Sequence, residues 1–408
     1  MKPTGPIPAG FTAIDGELAI GGRKASALVA EGGGTPLFVY SQAMLEARMA
    51  ALRSAMPPQL KIHYAMKANP HPAVLEVMAE LVDGLDVASG GELAMARKAG
   101  FLPREISFAG PGKRDAELLA AVKAGVTLNC ESTGEARRAL DAGMACGTRP
   151  RMAIRVNPEF ELRGSGMKMG GGAKPFGVDE DQVAELARTI IAEGCEWRGL
   201  HIYAGSQALD AGAISEAQGN ALATAARLSA EIGLALPHLN LGGGFGIPYF
   251  DKDKPLDIGA VGTRLAELLN DHSNDLQDAV FTIELGRYLV GEAGVYLTRI
   301  IDRKVSKRVT FLVTDGGLHH QLAASGNFGA VVRRNYPVAL ATRFDAPGEE
   351  EVNVVGCLCT PLDRLADNVG LPRAEVGDLV AVFLAGAYGA SASPATFLGQ
   401  GPAREMLV

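Results

Sequence analysis

Hydrophobic and polar positions follow two rhythms through the first two thirds of the chain. Short β-branched or apolar runs at Ile62–Ala65, Gly84–Ala88, Ile106–Ala109, Val126–Cys130 and Met152–Val156 start roughly 22 residues apart, the length of one strand, one helix and two loops. The segments between them, AVLEVMAELV, GELAMARKAG, DAELLAAVKAG and TGEARRALDAG, carry the helical rhythm. Glycine closes several of these segments, as it does at a helix C-cap. Three more strands are expected at wider spacing, Gly199–Tyr203, His238–Leu241 and Phe281–Glu284. Eight parallel-type strands alternating with helices predict an α/β fold, a (β/α)8 TIM barrel.

The pattern changes after Arg287. VYLTRIIDRKV, RVTFLVTDGG, VNVVGCLC and GDLVAVFLAGAY are strand-rich, with little helix between them. We expect a C-terminal β domain over 285–408, a barrel over 35–284, and an N-terminal hairpin over 1–34 (around FTAIDGELAIGG) that packs with the β domain.

A length of 408 residues exceeds what one hydrophobic core usually covers, so more than one domain is expected. The formal charge of -7 argues against nucleic acid as a partner. No apolar run reaches the ~18–20 residues that span a bilayer, and MKPTGPIPAGFTAIDGE lacks a signal-peptide core, so a cytoplasmic location and no membrane partner are expected. Five cysteines (Cys130, Cys146, Cys195, Cys357 and Cys359) make no disulfide framework. Cys357-Leu358-Cys359 beside His319-His320 is a weak zinc signal, and no metal is expected from it.

Barrel chemistry gathers at the carboxyl ends of the strands, where the loops converge. Polar residues fall there in order: Lys67 after the first strand, Asp86 in the second, then Glu131, Arg155, His201 and Tyr203, Gly242–Gly246, and Glu284 to Arg287. Lys67 interrupts an apolar run between Met66 and Ala68, an unusual place for a solvated charge. The glycine run after a strand offers backbone N–H donors without side-chain bulk, which suits a phosphate or simply a tight turn.

The segments HYAMKANP, GLDVASGGEL, LNLGGGFG, IELGR and GAYGAS, in that order, resemble the fold-type III, alanine-racemase-type barrel decarboxylases that act on diaminopimelate, ornithine and arginine. The likeness runs from about residue 36 onward, and within the family it is greatest to the exosortase A system-associated pyridoxal-dependent decarboxylases. It implies pyridoxal 5'-phosphate as cofactor, tethered to Lys67. It further implies Glu284 beside the ring nitrogen, Asp86, Arg155 and Gly286 lining the cofactor, and Ser206, Gly243, Gly244, Phe245, Gly246 and Tyr388 around its phosphate. Arg287 would lie near the phosphate and the substrate carboxylate. Cys359 would reach the site of a neighbouring subunit in a homodimer and direct reprotonation, making Lys67 and Cys359 the catalytic residues.

Two departures from the family pattern stand out. The family's ring-stacking histidine is Tyr203 here, while His201 could be a cofactor neighbour or a core histidine. The acid that follows the family's cysteine is Thr360, with Asp363 as a partial substitute, so Thr360, Asp363, Tyr388 and Arg287 are the candidate substrate contacts. Arg333 and Arg334 do not align with the family's distal-carboxylate arginine. The chain therefore reads as a pyridoxal-phosphate-dependent carboxy-lyase for an amino acid, with altered distal recognition and a tie to exopolysaccharide metabolism that rests on the resemblance. Alternatives are a racemase using Tyr336 or Tyr388, a cofactor carrier or regulator, and a decarboxylase of a carrier-protein-linked amino acid.

Overall fold

The computed structural model describes residues 1–326 and 333–408, which group into two units. One comprises Met49–Gly246 and Leu256–Gly286; the other comprises Met1–Arg48, Ile247–Pro255 and Arg287–Val408.

The first unit is the barrel. Its strands are β1 (Lys61–Ala65), β2 (Gly84–Val87), β3 (Ile106–Phe108), β4 (Thr127–Cys130), β5 (Arg151–Asn157), β6 (Glu196–Ile202), β7 (His238–Asn240) and β8 (Val280–Leu285). Each pairs in parallel with the next, and β8 pairs with β1 through Glu284 opposite His63, which closes the ring. All eight expected strands are present, with ends displaced by at most a few residues. Local chemistry fixes the helices between them. Ser89 and Ser132 cap their helices by accepting the N–H of Glu92 and Glu135 at 3.1 Å, and Gly125, Gly147 and Gly233 end theirs in the left-handed region.

The second unit is built on the long strand Gly294–Ser306. It pairs antiparallel with Leu37–Tyr40, with Leu379–Phe383 and with Val309–Thr314. Phe38, Val295, Tyr296, Leu297 and Phe383 are buried there. Leu37–Tyr40 also pairs in parallel with Arg404–Leu407. The segment 35–48, expected in the barrel, therefore lies with the β unit, because its apolar LFVY run completes this sheet. The hairpin Thr12–Ile14 with Glu17–Ile20 lies there too, where Gly16 accepts the N–H of Phe344 at 2.7 Å. Among the described residues, no helix is long and apolar enough to cross a membrane.

Candidate active site

Lys67 sits on a single 3-10 turn, Met66–Ala68, at the carboxyl end of β1. Its neighbours Met66 and Ala68 are buried while Lys67 is exposed, so the turn holds the backbone fast and projects the amine. Close packing supports that turn: a Cβ on Gly286 would fall 2.9 Å from the Ala68 Cβ, so only glycine lets the end of β8 approach this tightly.

A cavity of about 470 Å³ opens at this end of the barrel, lined by Lys67, Asp86, Arg155, His201, Tyr203 and Glu284 among others. The Lys67 amine is 6.0 Å from the Tyr203 ring centre. Glu284 Oε2 lies 3.2 Å from His201 Nε2 and accepts Asn240 Nδ2 at 3.2 Å. Burial opposes the charge on Glu284, but His201, Lys67 and Arg155 outweigh it and hold the carboxyl down to about 2. Arg155 Nη1 donates to Glu131 Oε1 at 2.9 Å, both side chains being buried, and Glu131 also accepts the N–H of Gly110 and of Gly177. Asp86 lies 3.4 Å from His63 Nδ1, and neither of its oxygens accepts a hydrogen bond among the described residues. Burial works against a proton on His63, yet the carboxylates of Asp86, Glu284 and Asp83 raise its pKa above the usual value.

The glycine loop after β7 is pressed against its neighbours. A Cβ on Gly243 would fall 2.0 Å from the carbonyl oxygen of Glu284, and one on Gly242 2.7 Å from that of Ile202. The N–H of Gly242 donates to Asn240 Oδ1 and that of Gly246 to the Ala208 carbonyl, both at 2.8 Å. Among the described residues, the N–H groups of Gly243 and Gly244 have no acceptor and the nearby buried Ser206 Oγ has no hydrogen-bond partner. Of the glycines expected around a phosphate, Gly246 thus has its donor occupied within the fold, whereas Gly243 and Gly244 do not.

The remaining expected residues belong to the β unit. There Arg287 Nη1 donates to Tyr249 Oη at 2.6 Å, and its guanidinium stands 4.7 Å from the Tyr388 ring centre. Tyr336 packs on Tyr249 with ring centres 4.8 Å apart, and burial raises its phenol well above the ordinary range. Arg333 is engaged with Asp367 at 3.0 Å. Cys359 is exposed and Thr360 half-buried. Asp363 departs from the expected substrate role. It is buried, and its two oxygens accept the N–H of Leu318 (2.7 Å) and Leu358 (2.8 Å), so it braces two turns.

A larger cavity, about 620 Å³, opens at the amino end of the barrel between residues such as Lys61, Arg104, Arg198 and His238. Size alone does not mark the site, because catalytic groups of such barrels collect at the carboxyl end. The smaller cavity carries an exposed amine and a buried carboxylate held ionised, and the glycine loop at the same end of the barrel adds N–H groups not engaged among the described residues. Those groups fit pyridoxal phosphate, so fold and cavity together define a barrel-type enzyme of that cofactor class.

Comparison with known proteins gives the family. Residues 42–291 match the pyridoxal-dependent decarboxylase, pyridoxal binding domain. The chain is 36% identical to the L-glutamyl-[BtrI acyl-carrier protein] decarboxylase of Niallia circulans, over 91% of this chain and 88% of that one. It is 33% identical to the diaminopimelate decarboxylase of Archaeoglobus fulgidus, over 93% and 89%. The diaminopimelate decarboxylase of M. jannaschii, solved with L-lysine, superposes with a TM-score of 0.89 at 25% identity, covering 98% of this chain and 93% of that one. The chain belongs to the pyridoxal-dependent decarboxylase family and is a pyridoxal-phosphate-dependent amino-acid decarboxylase.

Proposed function

We propose that this enzyme releases carbon dioxide from an amino acid whose distal end is linked to another group, in place of free diaminopimelate. The observation that carries the substrate reading is Thr360. The family's acid at this position would pair with a distal ammonium, but Thr360 is uncharged and its Oγ1 accepts the N–H of Leu362 at 3.3 Å. Asp363 is buried and braces the turns at Leu318 and Leu358, which favours a structural role over a substrate contact. The 36% identical relative acts on a glutamyl group borne by a carrier protein, which supports a carrier-linked substrate.

Each residue then has a defined task. Lys67 Nζ would tether the cofactor. Glu284, kept ionised by its neighbours, would favour a protonated ring nitrogen. Gly243 and Gly244 N–H with Ser206 Oγ would hold the phosphate. Tyr203 would offer an aromatic neighbour to the cofactor, and Arg155 is aimed by Glu131. The bound cofactor supplies an electron sink for the pair left as carbon dioxide departs. Cys359 Sγ or Lys67 Nζ returns a proton to the α-carbon. The family resemblance further supports a homodimer, a cytoplasmic location and a place in exopolysaccharide-associated metabolism.

The test is carbon dioxide release by purified protein with added cofactor, given free amino acids and glutamyl- or similar aminoacyl-carrier proteins. Turnover confined to free diaminopimelate would refute the substrate reading. Lys67→Ala should lose both the cofactor absorbance and turnover; a coloured, active variant would refute the tether.

A further inference from the structure

Three side chains of the β unit, His319, Cys357 and Asp363, converge on one point. His319 follows the strand Val309–Thr314, Cys357 follows the strand Glu350–Val355, and Asp363 directly precedes the strand Arg364–Leu371. One donor atom from each lies within 4.8 Å of the other two. Each is also poorly served by the protein alone.

His319 is fully buried, and neither ring nitrogen has a hydrogen-bond partner among the described residues. An unmet buried polar group costs about 1–3 kcal/mol, so its retention needs a reason. Its neighbour His320 differs, since Nδ1 meets Tyr296 Oη at 3.1 Å and Nε2 meets the Gly401 carbonyl at 3.0 Å. Asp363 is buried with no ion pair among the described residues. Its two backbone hydrogen bonds occupy one lone pair on each oxygen and leave a second lone pair on each for a further ligand. It is also immovable: a Cβ on Gly317 or Gly356 would fall 2.1 or 2.2 Å from its carboxylate oxygens. Cys357 is a half-buried free thiol. An imidazole with no hydrogen-bond partner among the described residues, a carboxylate with spare lone pairs and a thiol together make a cation-ligand set.

We propose that His319, Cys357 and Asp363 bind one zinc-class divalent cation, with water as the fourth ligand. A mixed nitrogen, sulfur and oxygen set suits zinc, whereas calcium and magnesium take oxygen donors. A tetrahedral centre needs donors about 3.3–3.8 Å apart. The three donor atoms, within 4.8 Å of one another, must close by up to about 1.5 Å to reach that spacing. Binding forms a bond from Cys357 Sγ to the metal and releases the thiol proton to solvent. The Cys357-Leu358-Cys359 and His319-His320 pairs thus contribute one member each, and the third ligand comes from a position the spacing did not suggest.

The experiment loads the purified full chain with Zn²⁺, dialyses it against metal-free buffer and measures bound metal, with Co²⁺ as a spectroscopic replacement. About one Zn²⁺ per chain is expected, and cobalt should show a thiolate charge-transfer band. That band should vanish in Cys357→Ser, and affinity should fall at least tenfold in His319→Asn. Cys359→Ser should keep both metal and band. A wild-type chain that retains no metal, or a band that persists in Cys357→Ser, overturns the proposal. If both ligand variants fail to fold, Cys359→Ser decides: a thiolate–cobalt band there supports the site, and its absence overturns it.

Discussion

His201 Nε2 and Glu284 Oε2 stand 3.2 Å apart inside the barrel, with both side chains nearly sealed from water. A carboxylate in such a place would ordinarily take up a proton; the neighbouring positive charges stop it. Removing the charge should therefore disable catalysis while leaving the cradle intact. Glu284→Gln should lower kcat on the order of 10²–10³-fold, as expected for a preorganised electrostatic contact. Cofactor absorbance and carbon dioxide release, measured on one sample, separate lost chemistry from lost binding.

The same carboxyl sets an acid dependence. Its folded pKa, about 2, is depressed from 4.5. Its contribution to stability is thus complete above about pH 4.5 and disappears as the pH falls towards 2. Thermal midpoints at pH 7 and pH 3 should differ more for the wild type than for Glu284→Gln. An equal difference would show that Glu284 is not held ionised.

Gly243→Ala places a methyl group 2.0 Å from the Glu284 carbonyl oxygen, which must displace either the loop or β8. Since the loop is the softer element, cofactor affinity should fall at least tenfold, with a modest drop in melting temperature. Titration of the variant with pyridoxal phosphate checks this.

Lys113 and Glu135 form a fully buried pair at 2.6 Å, with Lys113 Nζ also donating to the carbonyls of Gly110 and Asn129. Lys113→Met leaves a buried acid without a partner and should cost about 3–5 kcal/mol. Adding Glu135→Leu should recover a large part of it. Chemical denaturation of the single and double variants measures the recovery.

Thr360→Glu returns an acid to the place where the family carries one. Activity on free diaminopimelate should rise about tenfold or more, as befits one new charge-assisted contact. No gain in carbon dioxide release would remove Thr360 from the account of specificity.

The barrel was legible because its rhythm is repetitive: strands are short apolar runs, and several helices carry a serine or aspartate cap or a terminal glycine. The place of Lys67 at the cavity was legible because a charge interrupts an apolar run. His201 was not resolved, since its partner Glu284 lies more than eighty residues away and composition does not reveal such pairing. Segment 35–48 was misplaced for a related reason. LFVY fits a barrel strand as well as it fits the outer sheet, and only the distant partners Gly294–Leu297 and Arg404–Leu407 decide between them. Asp363 misled because sequence shows an acid but not the two backbone N–H groups that claim it.

The early strand Leu37–Tyr40 takes one neighbour from the strand beginning at Gly294 and the other from Arg404–Leu407. During synthesis on the ribosome it must wait for both, while every strand of the barrel has already emerged. Folding of the nascent chain is therefore staged by chain order: the barrel can assemble first, and its companion sheet remains unfinished until residues 404–407 are made.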